Sequence, residues 1–149
     1  MTTPTEYLNK CCRLAQKAAN LGEIPVGAII VQNNVIIATS HNEEKTLQDP
    51  TAHAEVLAIR EACSKLQSSS LMGCDLYTSL EPCLMCYQAA KTASINNIYY
   101  AFTQPNFGVF SQDYHTELTH SSAHQLKGIG PFPSCTPKPP LHDFFKDKR

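Results

Sequence analysis

The 149-residue chain predicts an α/β fold, and two observations carry that expectation. Segments with apolar residues at helical spacing alternate with short β-branched runs, in the order helix, strand, strand, helix, strand, helix, strand. Two compact clusters, His53-Ala54-Glu55 and Pro82-Cys83-Leu84-Met85-Cys86, each stand where a helix is expected to begin. The 30 residues from His53 to Cys83 suffice for one helix and one returning strand. Both helix starts can therefore meet at one end of a sheet, where open α/β folds place ligands.

Leu8, Cys11, Cys12, Ala15, Ala18, Ala19 and Leu21 recur at helical spacing and Gly22 is a stop signal, which predicts an amphipathic first helix. Cys11 and Cys12 are too close in sequence to share one metal comfortably; small, partly buried residues are the favoured reading. Residues 26–31 and 35–39 are rich in β-branched side chains and are joined by Gln32-Asn33-Asn34, a turn signal. They predict an antiparallel hairpin buried on both faces. Gly27 inside the first strand suggests a close backbone approach, by a ligand or by a neighbouring helix.

Residues 40–51 turn polar and read as a loop feeding a helix, with Asp49 or Thr51 as its N-cap and His41 as a solvated loop residue. The second helix is expected from about His53 to Leu66, with Val56, Ile59, Cys63 and Leu66 as its inner stripe. Residues 75–80 form a short strand, with Cys74 a thiol at the core edge, and Pro82 can start a helix without losing a needed N–H. Residues 83 to about 93 are then helical, and 95–102 give another strand. Beyond it, 103–108 read as a loop and 111–125 as partly helical, with Tyr114, His115 and His120 as surface residues. Five of the ten prolines lie between Pro131 and Pro140, an irregular or polyproline-like strap. Leu141, Phe144 and Phe145 have helical spacing, and Lys146, Lys148 and Arg149 make the end basic. No repeat or boundary divides the chain, which predicts a single domain over 1–149 with a proline-rich tail at about 126–149.

A content of 42% hydrophobic and 17% charged residues suits a globular protein rather than a disordered one. Twelve Lys+Arg against thirteen Asp+Glu provide no global attraction for nucleic acid, although a local basic patch is compatible with that balance. No stretch approaches the ~20 apolar residues of a membrane span. Pro4, Glu6 and Asn9 deprive the first ten residues of signal-peptide form, and seven cysteines without an export signal point to thiols in a reducing compartment. The expected location is cytoplasmic.

Cysteines at i and i+3 lie on one side of a first helical turn, so Cys83 and Cys86 can reach one metal. A helix start also favours negative charge on their sulfurs. A lone histidine at a helix start is usually only a polar residue, but the matched Cys-x-x-Cys makes His53 a third ligand. Three is the informative number, because four protein ligands usually close a structural zinc site while a catalytic one keeps a position for water. Glu55 is then left to act as a base. His-x-Glu followed by Pro-Cys-x-x-Cys is the signature of zinc-dependent nucleobase deaminases. Exchange of an exocyclic amine for an oxo group needs a water made nucleophilic near neutral pH, which zinc supplies, and a proton carrier. Glu55 would take the proton of that water, protonate the ring nitrogen and deliver a proton to departing ammonia.

Residues 26–31, Asn42, the run from Asp49 to Glu55 and the run from Glu81 to Cys86 resemble the cytidine deaminase-like superfamily. The likeness covers roughly residues 5–102 and is closest to the branch of bacterial tRNA adenosine deaminases and guanine deaminases. It implies a three-layer α/β/α sandwich around a central mixed sheet, one catalytic zinc (Zn2+) and a homodimer. It further implies substrate contacts at Asn42 and Ala54, and a looser match of Asp113 or Glu117 to the acidic pair with which guanine deaminases meet the guanine amino group. Residues 23–28 and Asp143-Phe144-Phe145 are similar to the tRNA enzymes, whereas 56–63 and 77–79 look more like guanine deaminase. The tRNA enzymes typically carry arginines at the positions of Ser94 and Asn97, a charged loop at 103–108 and a long C-terminal helix, all absent here. Losing cations weakens RNA binding, so a free purine base or nucleoside is the preferred substrate, with tRNA as the alternative and a cytosine-type substrate third. The rival from another class is a zinc-stabilised binding module without catalysis. Such a module has no use for Glu55.

Overall fold

The structure, a computed structural model, describes residues 1–112 and 126–141. Helix α1 (Pro4–Asn20) begins at a reciprocal cap: Thr3 Oγ1 accepts from Glu6 N (3.3 Å), and the Glu6 carboxylate accepts from Thr3 N (2.6 Å). It buries Tyr7, Leu8, Cys11, Cys12, Ala15 and Ala18. Leu21, expected on that stripe, is 59% exposed, because the helix has ended at Asn20 and its period no longer governs.

Strands β1 (Gly27–Gln32) and β2 (Val35–His41) pair antiparallel through a turn in which Asn33 and Asn34 both have positive φ (49° and 65°). That two-residue turn matches the right-handed twist of the strands. The expectation of a hairpin buried on both faces holds for β1 but not for β2, in which only Ala38 is buried and Val35 is 59% exposed. The physical reason is position: β2 lies at the sheet edge. With β3 (Cys74–Leu80), β4 (Asn97–Phe102) and β5 (Lys127–Ile129), the order is β2-β1-β3-β4-β5. The first two pairings are antiparallel and the parallel pairs β3–β4 and β4–β5 follow, so the sheet is mixed.

Period-two alternation divides the core. Ala28, Ile30, Leu76, Leu80 and Ile98 face one layer with α3 (Ala54–Leu66) and α4 (Leu84–Thr92), while Ile29, Val31, Tyr77 and Ala101 face α1. This is the three-layer arrangement. The buried stripe of α3 is Ala54, Glu55, Ala58, Ile59 and Ala62; of the expected stripe, Val56, Cys63 and Leu66 lie at its half-buried margin. The small alanines set the inner face toward the sheet and leave the larger side chains at its edges. Gly27 is forced by the other layer, since a Cβ there would stand 2.2 Å from Cys11 O and 2.5 Å from Leu14 Cβ. The close approach is a helix.

The tail supplies β5 just ahead of the Pro131–Pro140 strap, a strand that no periodicity in the sequence predicted. A three-residue strand with a central glycine leaves no readable period. From Gly130 the chain crosses to the α1 layer, where Phe132 N donates to Ala101 O (2.9 Å), Thr136 N donates to Asn9 Oδ1 (3.0 Å) and Cys135 is buried with Cys11 and Cys12. The expected helical stretch beyond Gln112, with Tyr114, His115 and His120, and the Phe144–Phe145 pair with its basic neighbours lie outside the described residues.

Candidate active site

One end of the sheet gathers the start of β1, the ends of β2, β3 and β4, and the starts of α3 and α4. His53 and Cys83 are the N-cap residues of those helices, with extended backbone (φ −71°, ψ 149° and φ −75°, ψ 171°). Each lies one residue before the helix expected to contain it, and Pro82 one residue earlier still. Asp49 and Thr51, expected as caps, instead close their own turn, Asp49 Oδ1 accepting from Thr51 N (2.8 Å) and Thr51 Oγ1 (2.7 Å). An N-cap side chain ordinarily turns back onto its own first turn. Neither His53 nor Cys83 does so, although both backbone carbonyls accept the first helical bond, from Leu57 N and Tyr87 N.

The two side chains turn toward each other and toward Cys86. His53 Nδ1 lies 3.4 Å from Cys86 Sγ and 3.7 Å from Cys83 Sγ, and the three donor atoms fall within 4.8 Å of one another. Zinc bonds of about 2.3 Å to sulfur and about 2.05 Å to nitrogen, at tetrahedral angles, set the N–S separation at about 3.6 Å. The donor set and its spacing fit zinc. Among the described residues this is the one cluster of three such groups.

Glu55, the second residue of α3, is 1% exposed, and Ala54, its first, is fully buried. Asn42 follows β2, and its backbone N–H is bound to Val26 O (3.0 Å). Its buried amide lies near the Glu23 carboxylate, yet neither Nδ2 nor Oδ1 completes a hydrogen bond among the described residues. Asp113 and Glu117 lie outside the described residues.

Three glutamates that sequence reading gave no role shape the surroundings. Glu44 Oε1 approaches His53 Nε2 at 3.3 Å. Glu23, 1% exposed, accepts from Lys45 N (3.1 Å), Thr46 N (2.6 Å) and Thr46 Oγ1 (2.7 Å), fastening the four-residue helix α2 (Glu44–Leu47) that lies in the expected loop. Burial alone pushes the Glu23 carboxyl up; the hydrogen bonds from Thr46 and Lys45 outweigh it and hold the group below its ordinary value. Glu81, directly before Pro82, accepts from Gln104 N (2.9 Å), Phe110 N (2.7 Å), Ser111 N (2.6 Å) and Ser111 Oγ (2.5 Å). That carboxylate ties the 104–111 loop to the strand end that carries Cys83, and a Cβ at Gly108 would stand 2.2 Å from Glu81 Cδ. The sequence offered one signal for these roles, an acidic residue set against an apolar run and a proline, as in Leu80-Glu81-Pro82.

The remaining buried thiols belong to the core. Burial, with a smaller contribution from Cys135, pushes the Cys12 thiol up to about 12, and burial raises Cys11, Cys74 and Cys135 as well. Such thiols are poor nucleophiles and poor metal ligands. His41 is half-buried, its Nδ1 3.0 Å from Asn42 O.

The profile of the cytidine and deoxycytidylate deaminase zinc-binding region matches residues 1–102. The chain belongs to that family. Within the family, a tRNA-specific adenosine deaminase of Agrobacterium fabrum (strain C58) is 34% identical over 152 residues, covering 100% of this chain and 98% of the relative. A solved structure from work on A-to-I editing by tRNA:A34 deaminases at the wobble position superposes with a TM-score of 0.80 at 34% identity, covering 85% of this chain and 92% of that one. The structure of guanine deaminase from Bacillus subtilis superposes with a TM-score of 0.68 at 34% identity, covering 100% and 98%. The chain is thus a zinc-binding enzyme of hydrolytic nucleobase or nucleoside deamination. Among the described residues no helix is long and apolar enough to cross a membrane.

Proposed function

We propose that this chain, acting as one domain over residues 1–149, deaminates adenosine to inosine at the wobble position of tRNA. Likeness along the whole length of a tRNA-specific adenosine deaminase is the observation that carries the reading. The preference for a free purine rested on missing cations, and the fold weakens that argument. Asn97 opens β4 and donates to Asp75 Oδ1 (3.1 Å), and Ser94 precedes it, so both stand at the end of the sheet away from the ligands. The length of β4 alone separates them from the ligand end by about 16 Å. Cations at those two positions would not border the reacting base; of the missing charges, those of the 103–108 loop alone would lie at the ligand end, where Glu81 ties that loop.

His53, Cys83 and Cys86 would hold zinc, which supplies the Lewis acidity that makes water nucleophilic near neutral pH. Glu55 takes the proton of the attacking water, passes a proton to the ring nitrogen next to the amine-bearing carbon, and delivers a proton to the leaving group, so that amine and water become ammonia and an oxo group. Burial beside a helix start suits that shuttle, because water cannot compete for the carboxylate. Asn42 holds the base or ribose through amide atoms that complete no hydrogen bond among the described residues. Ala54 presents a first-turn N–H, which has no partner within its helix, to the oxygen formed.

A groove of about 820 Å³ between α3 and α4, lined by Ile59, Cys63, Met85, Ala89 and Ala93 among others, supports a homodimer in which a second copy covers this apolar face. The second substrate reading, guanine, is favoured by the full coverage of the guanine deaminase structure. The deciding experiment offers zinc-loaded protein an anticodon stem-loop carrying adenosine at the wobble position and, separately, guanine. Inosine in the RNA supports the tRNA reading; ammonia from guanine alone replaces it with the second.

A further inference from the structure

We propose that Glu44 is a positioning residue for the metal centre, holding the His53 ring so that Nδ1 faces the two cysteine sulfurs. The inference rests on the zinc-deaminase reading above and concerns a residue outside its ligand set. Glu44 Oε1 lies 3.3 Å from His53 Nε2, on the side of the ring opposite Nδ1. The carboxylate is about a quarter exposed as a whole, but Oε1 itself is buried and completes no hydrogen bond among the described residues. His53 Nε2, 3.3 Å away at ion-pair distance, is the potential donor that stands beside it.

The chemistry of the pair fixes the tautomer. A neutral imidazole has one donor and one acceptor nitrogen, and a carboxylate only accepts. A carboxylate at Nε2 therefore places the hydrogen there and leaves the Nδ1 lone pair directed at Cys83 and Cys86. Without such a partner the ring could turn about its broad χ2 torsion or carry its hydrogen on Nδ1, and either change removes the third donor.

Glu44 is itself held in place. It is the first residue of α2, whose next two backbone N–H groups end on the buried Glu23 carboxylate, and whose own carbonyl accepts from Asp49 N (3.0 Å). Glu43 N donates to Ala52 O (3.0 Å), joining this short helix to the residue before His53. Glu23 therefore acts on the metal site through α2 and Glu44, and the unexpected helix gains a purpose.

The test uses the full chain with Glu44→Ala, Glu44→Asp and Glu44→Gln. Zinc affinity is read by competition with a chelator, and the His53 tautomer by ¹⁵N shifts of the ring in metal-free protein. Glu44→Ala and Glu44→Asp, which remove or withdraw the acceptor, are expected to weaken zinc binding about 10- to 100-fold. The metal-free ring should at the same time lose its Nε2–H preference. Glu44→Gln, whose amide oxygen reaches the same point, is expected to restore most of both. Parent affinity and an unchanged tautomer in Glu44→Ala and Glu44→Asp would overturn the positioning role and leave the deaminase reading standing. Failure of the unsubstituted chain to bind zinc would overturn both.

Discussion

Glu55 and Asn42 are buried polar side chains at the ligand end of the sheet, and each separates catalysis from stability when altered. Glu55→Ala is expected to lower kcat by at least ~10²–10⁴, the range for general acid–base groups, while zinc stays bound at one per chain. Ammonia release and metal analysis on one sample check both halves. Parent turnover in that variant would end the proton-shuttle assignment. Asn42 carries two buried amide atoms that complete no hydrogen bond among the described residues, a cost that an apolar side chain of similar size removes. Asn42→Leu is expected to raise the thermal midpoint, or leave it unchanged, and to lower kcat/KM by about tenfold or more, since one lost hydrogen bond to substrate is worth ~1–3 kcal/mol. A variant that loses stability instead would show the amide to be structural. Glu55 and the three candidate ligands were marked by residue type and spacing, whereas Asn42 stood out only through the resemblance to the deaminase family. Glu23, Glu44 and Glu81 were not marked, because a glutamate in a sequence does not show which backbone N–H groups will converge on it.

Two loops border the site, and each is tied down by one buried carboxylate. The α2 loop hangs on Glu23, whose folded-state value lies below its ordinary 4.5. A depressed carboxyl contributes stability that is present above the unfolded value and lost as pH falls through the folded one. Glu23→Gln should therefore lower the thermal midpoint at neutral pH and converge with the parent below pH 4.5, as a melting series across pH would read. The 104–111 loop hangs on Glu81, with four donors on one carboxylate. Gly108→Ala pushes a methyl group into that carboxylate, and a loss of about 1–3 kcal/mol in denaturant unfolding is expected. At this scale, helix and strand positions followed from periodicity to within a residue or two. Element α2 escaped because four residues make only one turn, and β5 because three residues make no alternation.

For the molecule as a whole, the open α3–α4 groove makes a specific demand. If a second copy covers it, Ala89→Arg on its wall should convert the protein to monomer in sedimentation velocity while the far face, with α1, is untouched. A parent chain already monomeric at micromolar concentration would remove the dimer. The mixed sheet also explains why two helix starts meet: β3 and β4 run parallel, so the chain leaves β3 at the site end and α4 begins there. β1 runs antiparallel to β3, which brings Gly27 to the same end, its N–H bound to Ser79 Oγ (3.0 Å), and puts Asn42 beside it.

Residue type and spacing were enough to mark the candidate ligands, the candidate acid–base group and the alternation of elements, and hence the class of chemistry. Metal geometry and core periodicity act over a few residues, and so leave local marks. Tertiary placement alone set which side chains lie near the reacting end, putting Ser94 and Asn97 away from it and bringing the Glu44 and Glu23 carboxylates to it. It also decided that β2 is an edge and that the proline-rich tail supplies a strand. These are facts of long-range placement, fixed by strand order and by where buried carboxylates find their donors, and neither leaves a period in the chain.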